Sequence, residues 1–465
     1  MTGGDVSRRE FLRWSGVAGL TLAGGLEFAC TNSADVARST VRQPNVLVIM
    51  CDDMRRDLLQ FMPQTVEHFS AGREFSSCRL NVALCQPARC GFLTGQWALR
   101  DGNGVYRNTG YVRDGADTIA PWMSAAGYGC AVIGKYPHLL GGTRLPGWQF
   151  QRTLINANDQ APYGYRVFDG TSVSQPTDHQ TDYLAAQVRA FIGSAVRPWF
   201  CWMTPTDPHV GRQLELAPRP EDADAWSDVT FDLPSYPDMS TKPSWMRALP
   251  ELSRGDRARV QEAARGQLRE LNAVDDAVAS IFGTLKDEDQ LDDTVVMFTS
   301  DNGVMYGEQR LGAHAPTVKN VPYEPAMHVP LLVRGPGFTN GASRTPVCGQ
   351  DLTATCVALA EASPSLRLDG VDLRTVVSDP DAFDDRVLLH ERRDPDPTDE
   401  SMPSGHGVTT ETRKLWRHEV EDPTDRFELY LLDEDPDEFI NVANDPDYLD
   451  ERNELEAELE ALLAS

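Results

Sequence analysis

Five short apolar runs stand out along the chain: Asn45 to Met50, Cys130 to Ile133, Trp199 to Met203, Thr294 to Phe298 and Val329 to Val333. They are rich in β-branched or aromatic residues and show no alternation, the pattern of strands buried on both faces. Helical patterns lie between them, at Thr181 to Ala195 and over the long stretch Ala264 to Leu285. Strands alternating with helices imply an α/β fold with a large, mostly parallel sheet covered on both sides. The Pro-rich segment from Leu214 to Leu249 reads as a surface excursion. A smaller C-terminal α+β unit begins after about Gly370. It holds a polar loop (Asp394 to Gly407), a strand at Phe427 to Leu432 and a final helix with Leu455, Leu459 and Leu462 on one face. The expected division is residues 1–40, 41–375 and 376–465.

The first of these segments differs in kind. Ser7-Arg8-Arg9-Glu10-Phe11-Leu12 precedes a small apolar run from Trp14 to Ala29, the layout of a twin-arginine export signal. The implied partner is the twin-arginine translocase, which carries folded proteins, and the implied destination is the periplasm, the cell surface or the medium. Cys30 could accept lipid, but Glu27 stands where lipoprotein signals carry an aliphatic residue. No other apolar stretch approaches the ~20 residues of a membrane span.

The formal charge is -27, and 27 of the 70 acidic residues lie in residues 381–465 against 8 of the 43 basic ones. This acidity disfavours a nucleic-acid partner, since phosphate contact needs a basic face. Beyond Cys30, the cysteines are Cys51, Cys78, Cys85, Cys90, Cys130, Cys201, Cys348 and Cys356, with no repeated metal-ligand spacing. Most read as core thiols, and a Cys348–Cys356 disulfide is conceivable in an oxidising compartment.

Four apolar runs are followed closely by reactive groups: Asp52-Asp53, Lys135, His209 and Asp301-Asn302. Singly, each has a dull explanation as a turn, cap or solvated end. In a parallel sheet, however, strand ends converge on the ligand site, and four such ends would gather three carboxylates with an amide oxygen. An all-oxygen set on flexible loops suits Ca²⁺ better than Mg²⁺ or zinc. In the segment Leu84 to Gly95, Pro87 can open a helix at its first turn, placing Cys85 just ahead of an anion-attracting N-terminus. A bare thiolate is an odd nucleophile for an exported protein, because it oxidises readily.

Cys85-x-Pro87-x-Arg89 followed by Leu93-Thr94-Gly95 resembles the signature of the type I sulfatases, whose Cys is oxidised to formylglycine by a separate formylglycine-generating enzyme. Asp52-Asp53, Gly134-Lys135, Asp207-Pro-His209, Ser300-Asp-Asn-Gly303, Lys319 through Tyr323-Glu324 to Leu331, and the C-terminal Glu428-Leu-Tyr430, Asp435-Pro436 and Asn441 fall in the family's order. The resemblance thus spans roughly residues 43 to 465. It implies the alkaline-phosphatase-like α/β sandwich and a metal set of Asp52, Asp53, Asp301, Asn302 and modified Cys85 around Ca²⁺. Arg89 and Lys135 would orient the hydrated aldehyde, while His209 and Lys319 would hold the sulfate and protonate the leaving oxygen.

Two departures mark this chain. Lys135-Tyr136-Pro137-His138 is one residue longer than the family's usual Lys-x-His, so His138 is a base, a substrate ligand or neither. Val304-Met305 follows Gly303 where relatives show an aromatic residue and a His. Lys242-Pro-Ser-Trp-Met-Arg247 and the Lys-Tyr-x-x form look similar to the glucosamine-6-sulfatase-like branch, which implies a sugar sulfate as substrate. Two alternatives are a phosphonate monoester or phosphodiester hydrolase on the same site, and a non-catalytic module binding sulfated glycans if Cys85 stays unmodified.

Overall fold

The structure, a computed structural model, describes residues 43–100, 115–137, 142–155, 161–210, 217–233, 238–312, 315–392 and 402–465. The export segment, Cys30 and His138 lie outside them. Residues 43–465 form one compact unit. In chain order the strands of its large sheet are β1 (Asn45–Cys51), β2 (Arg73–Phe75), β3 (Gly129–Gly134), β4 (Phe150–Leu154), β5 (Val167–Phe168), β6 (Val173–Ser174), β7 (Trp199–Thr204), β8 (Thr294–Ser300), β9 (Leu331–Arg334) and β10 (Gly341–Ser343). Their order in the sheet is β10-β2-β9-β8-β1-β7-β3-β4-β5-β6. The central neighbours β8, β1, β7, β3 and β4 are all parallel. Antiparallel pairs occur only towards the flanks, beginning with β9 against β8 and β5 against β4.

The helices are α1 (Pro63–Phe69), α2 (Cys85–Thr94), α3 (Ile119–Ala125), α4 (Gln180–Ser194), α5 (Ser244–Arg247), α6 (Arg254–Asp287), α7 (Glu324–Met327), α8 (Gly349–Leu359), α9 (Leu373–Ser378) and α10 (Leu449–Ala464). Seven of them, α1 to α4, α6, α8 and α9, cover the large sheet in two layers. Along β1, Val46, Val48 and Met50 point into a core shared with α2, α3, α8 and α9. Leu47, Ile49 and Cys51 point into an opposite core made with α1, α4 and α6. Side chains alternate across a strand, so a run that is apolar at every position must be covered on both faces.

Some details depart from expectation. The fifth apolar run starts its strand only at Leu331, since Pro330 has no N–H for the ladder. Helix α6 begins at Arg254 rather than Ala264, because Ser253 and Asp256 cap it reciprocally. Pro87 stands in the first turn of α2 as expected, but as its third residue, so Cys85 opens the helix after the extended Leu84 rather than preceding it. Cys348 and Cys356 are free thiols. One precedes α8 and the other sits two turns along it, beyond disulfide reach at ~1.5 Å of rise per residue.

The C-terminal strands β11 (Leu388–Arg392), β12 (Gly405–Thr409), β13 (Arg413–His418) and β14 (Phe427–Leu431) form a separate antiparallel sheet. Leu455 and Leu459 of α10 pack on it with Leu389, Leu415 and Leu429. Buried charge joins this sheet to the rest: Lys414 lies 3.0 Å from Glu324 and 2.8 Å from Glu438, and Arg79 pairs with Glu324 at 2.8 Å. Lys242, from the Pro-rich segment, donates to the Tyr430 hydroxyl at 2.8 Å. Removing one member of such a network strands a buried charge. Among the described residues no helix is long and apolar enough to cross a membrane.

Candidate active site at the carboxyl edge of the sheet

The four parallel strands β8, β1, β7 and β3 are neighbours, so the residues that follow them meet along one edge. Asp52 and Asp53 follow β1, Lys135 follows β3, Asp207 and His209 follow β7, and Asp301 and Asn302 follow β8. The start of α2 brings Cys85 against them. One donor atom each from Asp52, Asp53, Cys85 and Asp301 lies within 4.8 Å of the others, and all four residues are buried.

Three cations are threaded through these carboxylates. Arg89, one turn into α2 and fully buried, donates through Nε to Asp301 Oδ2 at 2.6 Å, and its Nη2 lies 3.4 Å from Asp52. Lys135 pairs with Asp52 Oδ2. Lys319 Nζ lies 2.7 Å from Asp53 Oδ1 and 2.9 Å from Cys85 Sγ. Cys85 Sγ is also 3.2 Å from Asp52 Oδ1. His209 Nε2 stands 3.6 Å from Asp53 Oδ2, with its side chain 22% exposed at the mouth of the site.

The backbone explains how the groups are aimed. Asp53 has φ +68°, a left-handed conformation that Asp tolerates better than most residues. Its N–H donates to Asp301 Oδ1 at 3.2 Å. Lys135 N–H donates to Thr204 O at 2.8 Å, directly after Gly134 at φ +117°. A Cβ on Gly134 would stand 2.1 Å from Thr204 O. Gly134→Ala is therefore expected to destabilise the fold by on the order of 2 kcal/mol or more, read as a lower urea midpoint. An unchanged midpoint would contradict this close approach.

Electrostatics separate the groups. Burial pushes the Asp52 carboxyl up, but Lys135, His209, Arg89 and Lys319 together hold it well below the usual carboxylate range. Asp301 goes the other way: burial, with Asp52 nearby, lifts it to about 6 despite Arg89. Burial pulls His209 down to about 4 against the attraction of Asp53. Burial and then Asp52 push the Cys85 thiol far above its ordinary range. An unmodified Cys85 is thus a neutral thiol and a poor nucleophile.

Does this set fit a metal? Asn302 donates through Nδ2 to Asp53 Oδ1 at 2.6 Å and to Gly303 O at 2.9 Å, which orients the amide. Its buried Oδ1 has no hydrogen bond. Such an orphaned acceptor is costly unless a cation faces it. With three carboxylates around it, the donor set is oxygen-rich and suits a hard divalent ion. Cys85 Sγ here marks the place where an oxygen of a modified side chain would stand.

Supporting residues escaped the sequence reading. Gln267 of α6 donates to Asp53 O at 3.3 Å and Pro208 O at 2.7 Å, clamping two of the converging loops. Ser300 Oγ accepts from Met54 N–H at 2.9 Å and donates to Asn302 O at 2.8 Å. Lys319 is presented by paired backbone bonds between Met305 and Val318, and by Asn320 N–H donating to Ala83 O at 2.7 Å. Val304 and Met305, which replace an aromatic residue and a His, are buried packing residues. Nothing in local spacing signals Gln267, whose amide crosses more than 200 positions to reach Asp53.

Comparison with known proteins agrees with this geometry. The sulfatase family profile matches residues 44–362, and that of the N-sulphoglucosamine sulphohydrolase C-terminal region matches residues 312–465. An arylsulfatase of Volvox carteri is 26% identical over 93% of this chain and 76% of its own length. The N-acetylglucosamine-6-sulfatase of Homo sapiens is 26% identical over 91% of this chain and 85% of its own. A solved structure in complex with its substrate D-glucosamine-2-N,6-O-disulfate superposes with a TM-score of 0.78 at 20% identity, covering 90% of this chain and 97% of that one. The fold is therefore that of the alkaline-phosphatase-like enzymes. With the profile running through every strand end that supplies the site, the chain belongs to the sulfatase family, the hydrolases of sulfuric esters.

Proposed function

We propose that this sulfatase removes sulfate from a sugar, using formylglycine made from Cys85 and a calcium ion held by Asp52, Asp53, Asp301 and Asn302. The observation that carries the reading is the placement of a neutral, buried thiol among three carboxylates and three cations. That setting suits neither a structural cysteine nor a thiolate nucleophile. When present, the two groups would supply a fixed dication and an attacking hydroxyl on a carbon that can later release sulfate.

The chain's own residues do the rest. Lys135, paired with Asp52, and Lys319, against Cys85 Sγ, would face the oxygens of a bound sulfate, where developing negative charge is stabilised without reorganisation. Arg89 fixes Asp301 and, through Nη1, donates to Lys135 O at 3.1 Å, so that metal ligand and lysine move together. His209 is neutral in the free protein. An arriving sulfate ester would raise its proton affinity, equipping it to protonate the leaving sugar oxygen.

A sugar substrate is favoured by the N-acetylglucosamine-6-sulfatases among the relatives and by the structural neighbour's substrate, a glucosamine that carries two sulfates. Kinetics on glucosamine 6-sulfate, an aryl sulfate and a matched aryl phosphonate monoester test this. The highest kcat/KM is expected on the sugar, and a preference for the phosphonate would overturn the sulfate assignment. Exhaustive EGTA treatment should lower kcat by roughly 100-fold or more, with recovery on adding Ca²⁺. Full activity after chelation would exclude the metal.

We also infer export of the folded enzyme by the twin-arginine translocase, after modification by the formylglycine-generating enzyme in the cytoplasm. The support is Arg8-Arg9 ahead of an apolar run. An R8K/R9K double variant should stay in the cytoplasm, whereas normal export of that variant would refute this route.

A further inference from the structure

Lys319 Nζ stands 2.9 Å from Cys85 Sγ, although Lys319 belongs to no helix or strand. The residue after it, Asn320, is buried and left-handed, at φ +60°. A residue other than glycine keeps such a conformation only where its surroundings hold it. Here both main-chain groups of Asn320 are held. Its N–H donates to Ala83 O at 2.7 Å, two residues before Cys85, and its carbonyl accepts from Arg392 Nε at 2.7 Å.

Arg392 ends β11 and is 1% exposed. Its ladder with Gly405 is made by main-chain bonds and needs no particular side chain. The guanidinium instead reaches out of the C-terminal sheet. Besides Asn320 O, it donates through Nη1 to Met402 O at 2.5 Å and to Pro403 O at 3.0 Å. Met402 in turn packs in one apolar cluster with Ala83, Val321 and Tyr323. The rest of β11 grips the chain leading to Cys85. The His390 ring donates through Nδ1 to Leu80 O at 2.7 Å, Glu391 N–H donates to Asn81 O at 2.8 Å, and Asn81 Nδ2 donates to Leu389 O at 2.9 Å. One strand of the C-terminal sheet therefore holds both the segment ahead of Cys85 and the residue after Lys319.

We propose that Arg392 is a positioning residue for the reaction: through Asn320 it holds the Lys319 ammonium against position 85, so the C-terminal sheet helps to build the active site. This rests on the role given to Lys319 above. A planar fork of donors suits the task, because it engages Asn320 O and Met402 O at once in fixed directions. Losing the fork would free the turn at Asn320 and let Lys319 shift, and a displacement of ~1 Å at a reacting centre can cost roughly 100-fold in rate.

The test is a double-mutant cycle on the full-length, calcium-saturated enzyme, with kcat counted per formylglycine at position 85. Arg392→Met keeps the apolar stem and removes the donors. It should lower kcat by roughly 10- to 100-fold with KM nearly unchanged. In a Lys319→Ala background the same substitution should lower kcat by less than about 3-fold, since the contact it supports is already gone. Equal losses in both backgrounds, or wild-type kcat in Arg392→Met, overturn the proposal while leaving the role of Lys319 intact. Wild-type kcat in Lys319→Ala overturns both. Should Arg392→Met fold poorly, seen as a lowered urea midpoint, Arg392→Lys takes its place in the cycle. Its single ammonium cannot span both carbonyls as the fork does. A kcat loss that vanishes in the Lys319→Ala background is again expected, and wild-type kcat would refute the bridge.

Discussion

Cys85→Ser should lower kcat on a sulfate ester by roughly 1,000-fold or more while KM changes little. The serine hydroxyl would occupy the place of Cys85 Sγ, 3.2 Å from Asp52 Oδ1 and 2.9 Å from Lys319 Nζ, so the sulfate-binding surroundings persist. What is lost is the second hydroxyl on the same carbon. Serine can accept sulfate but has no internal route to expel it, so the variant should accumulate sulfated protein after one turnover. Mass spectrometry of the variant after incubation with substrate reads this directly. Near-normal multiple turnover would refute a nucleophile derived from Cys85.

The second large effect is expected at Lys319. Its ammonium touches both Asp53 and Cys85 Sγ, and burial is outweighed by the carboxylates of Asp53 and Asp52, which raise its proton affinity, so it stays charged throughout the working pH range. Lys319→Ala should cost ~2.7–4 kcal/mol of transition-state stabilisation, roughly 100- to 1,000-fold in kcat. Lys319→Arg should rescue little, because a planar fork cannot replace a point charge in so close a contact. Steady-state kinetics of both variants check this, and wild-type kcat in Lys319→Ala would remove the residue from the reaction.

Much of the fold is legible in the sequence because its central strands are apolar at every position. Both layers of helices can be inferred from Asn45 to Met50 alone, and the site's position follows from polar residues just past such runs. Helix α6 was only partly legible. Within its first turns, Arg254 to Glu262, only Val260 is buried, so the hydrophobic period does not start until Ala263 and Ala264. Lys319 has no strand before it; a single bridge between Met305 and Val318 sets its place, and sequence resemblance alone points to it. The bridge from Arg392 through Asn320 to Ala83 was illegible, since three segments far apart in the chain bring it together. The free thiols of Cys348 and Cys356 show the same limit, because their separation depends on α8 starting between them.

Peptide mass spectrometry across Cys85, on enzyme purified from its native host, tests the central claim most directly. The expected result is a residue in which one oxygen has replaced one sulfur and two hydrogens of cysteine. An intact thiol at position 85 in catalytically active protein would contradict the account.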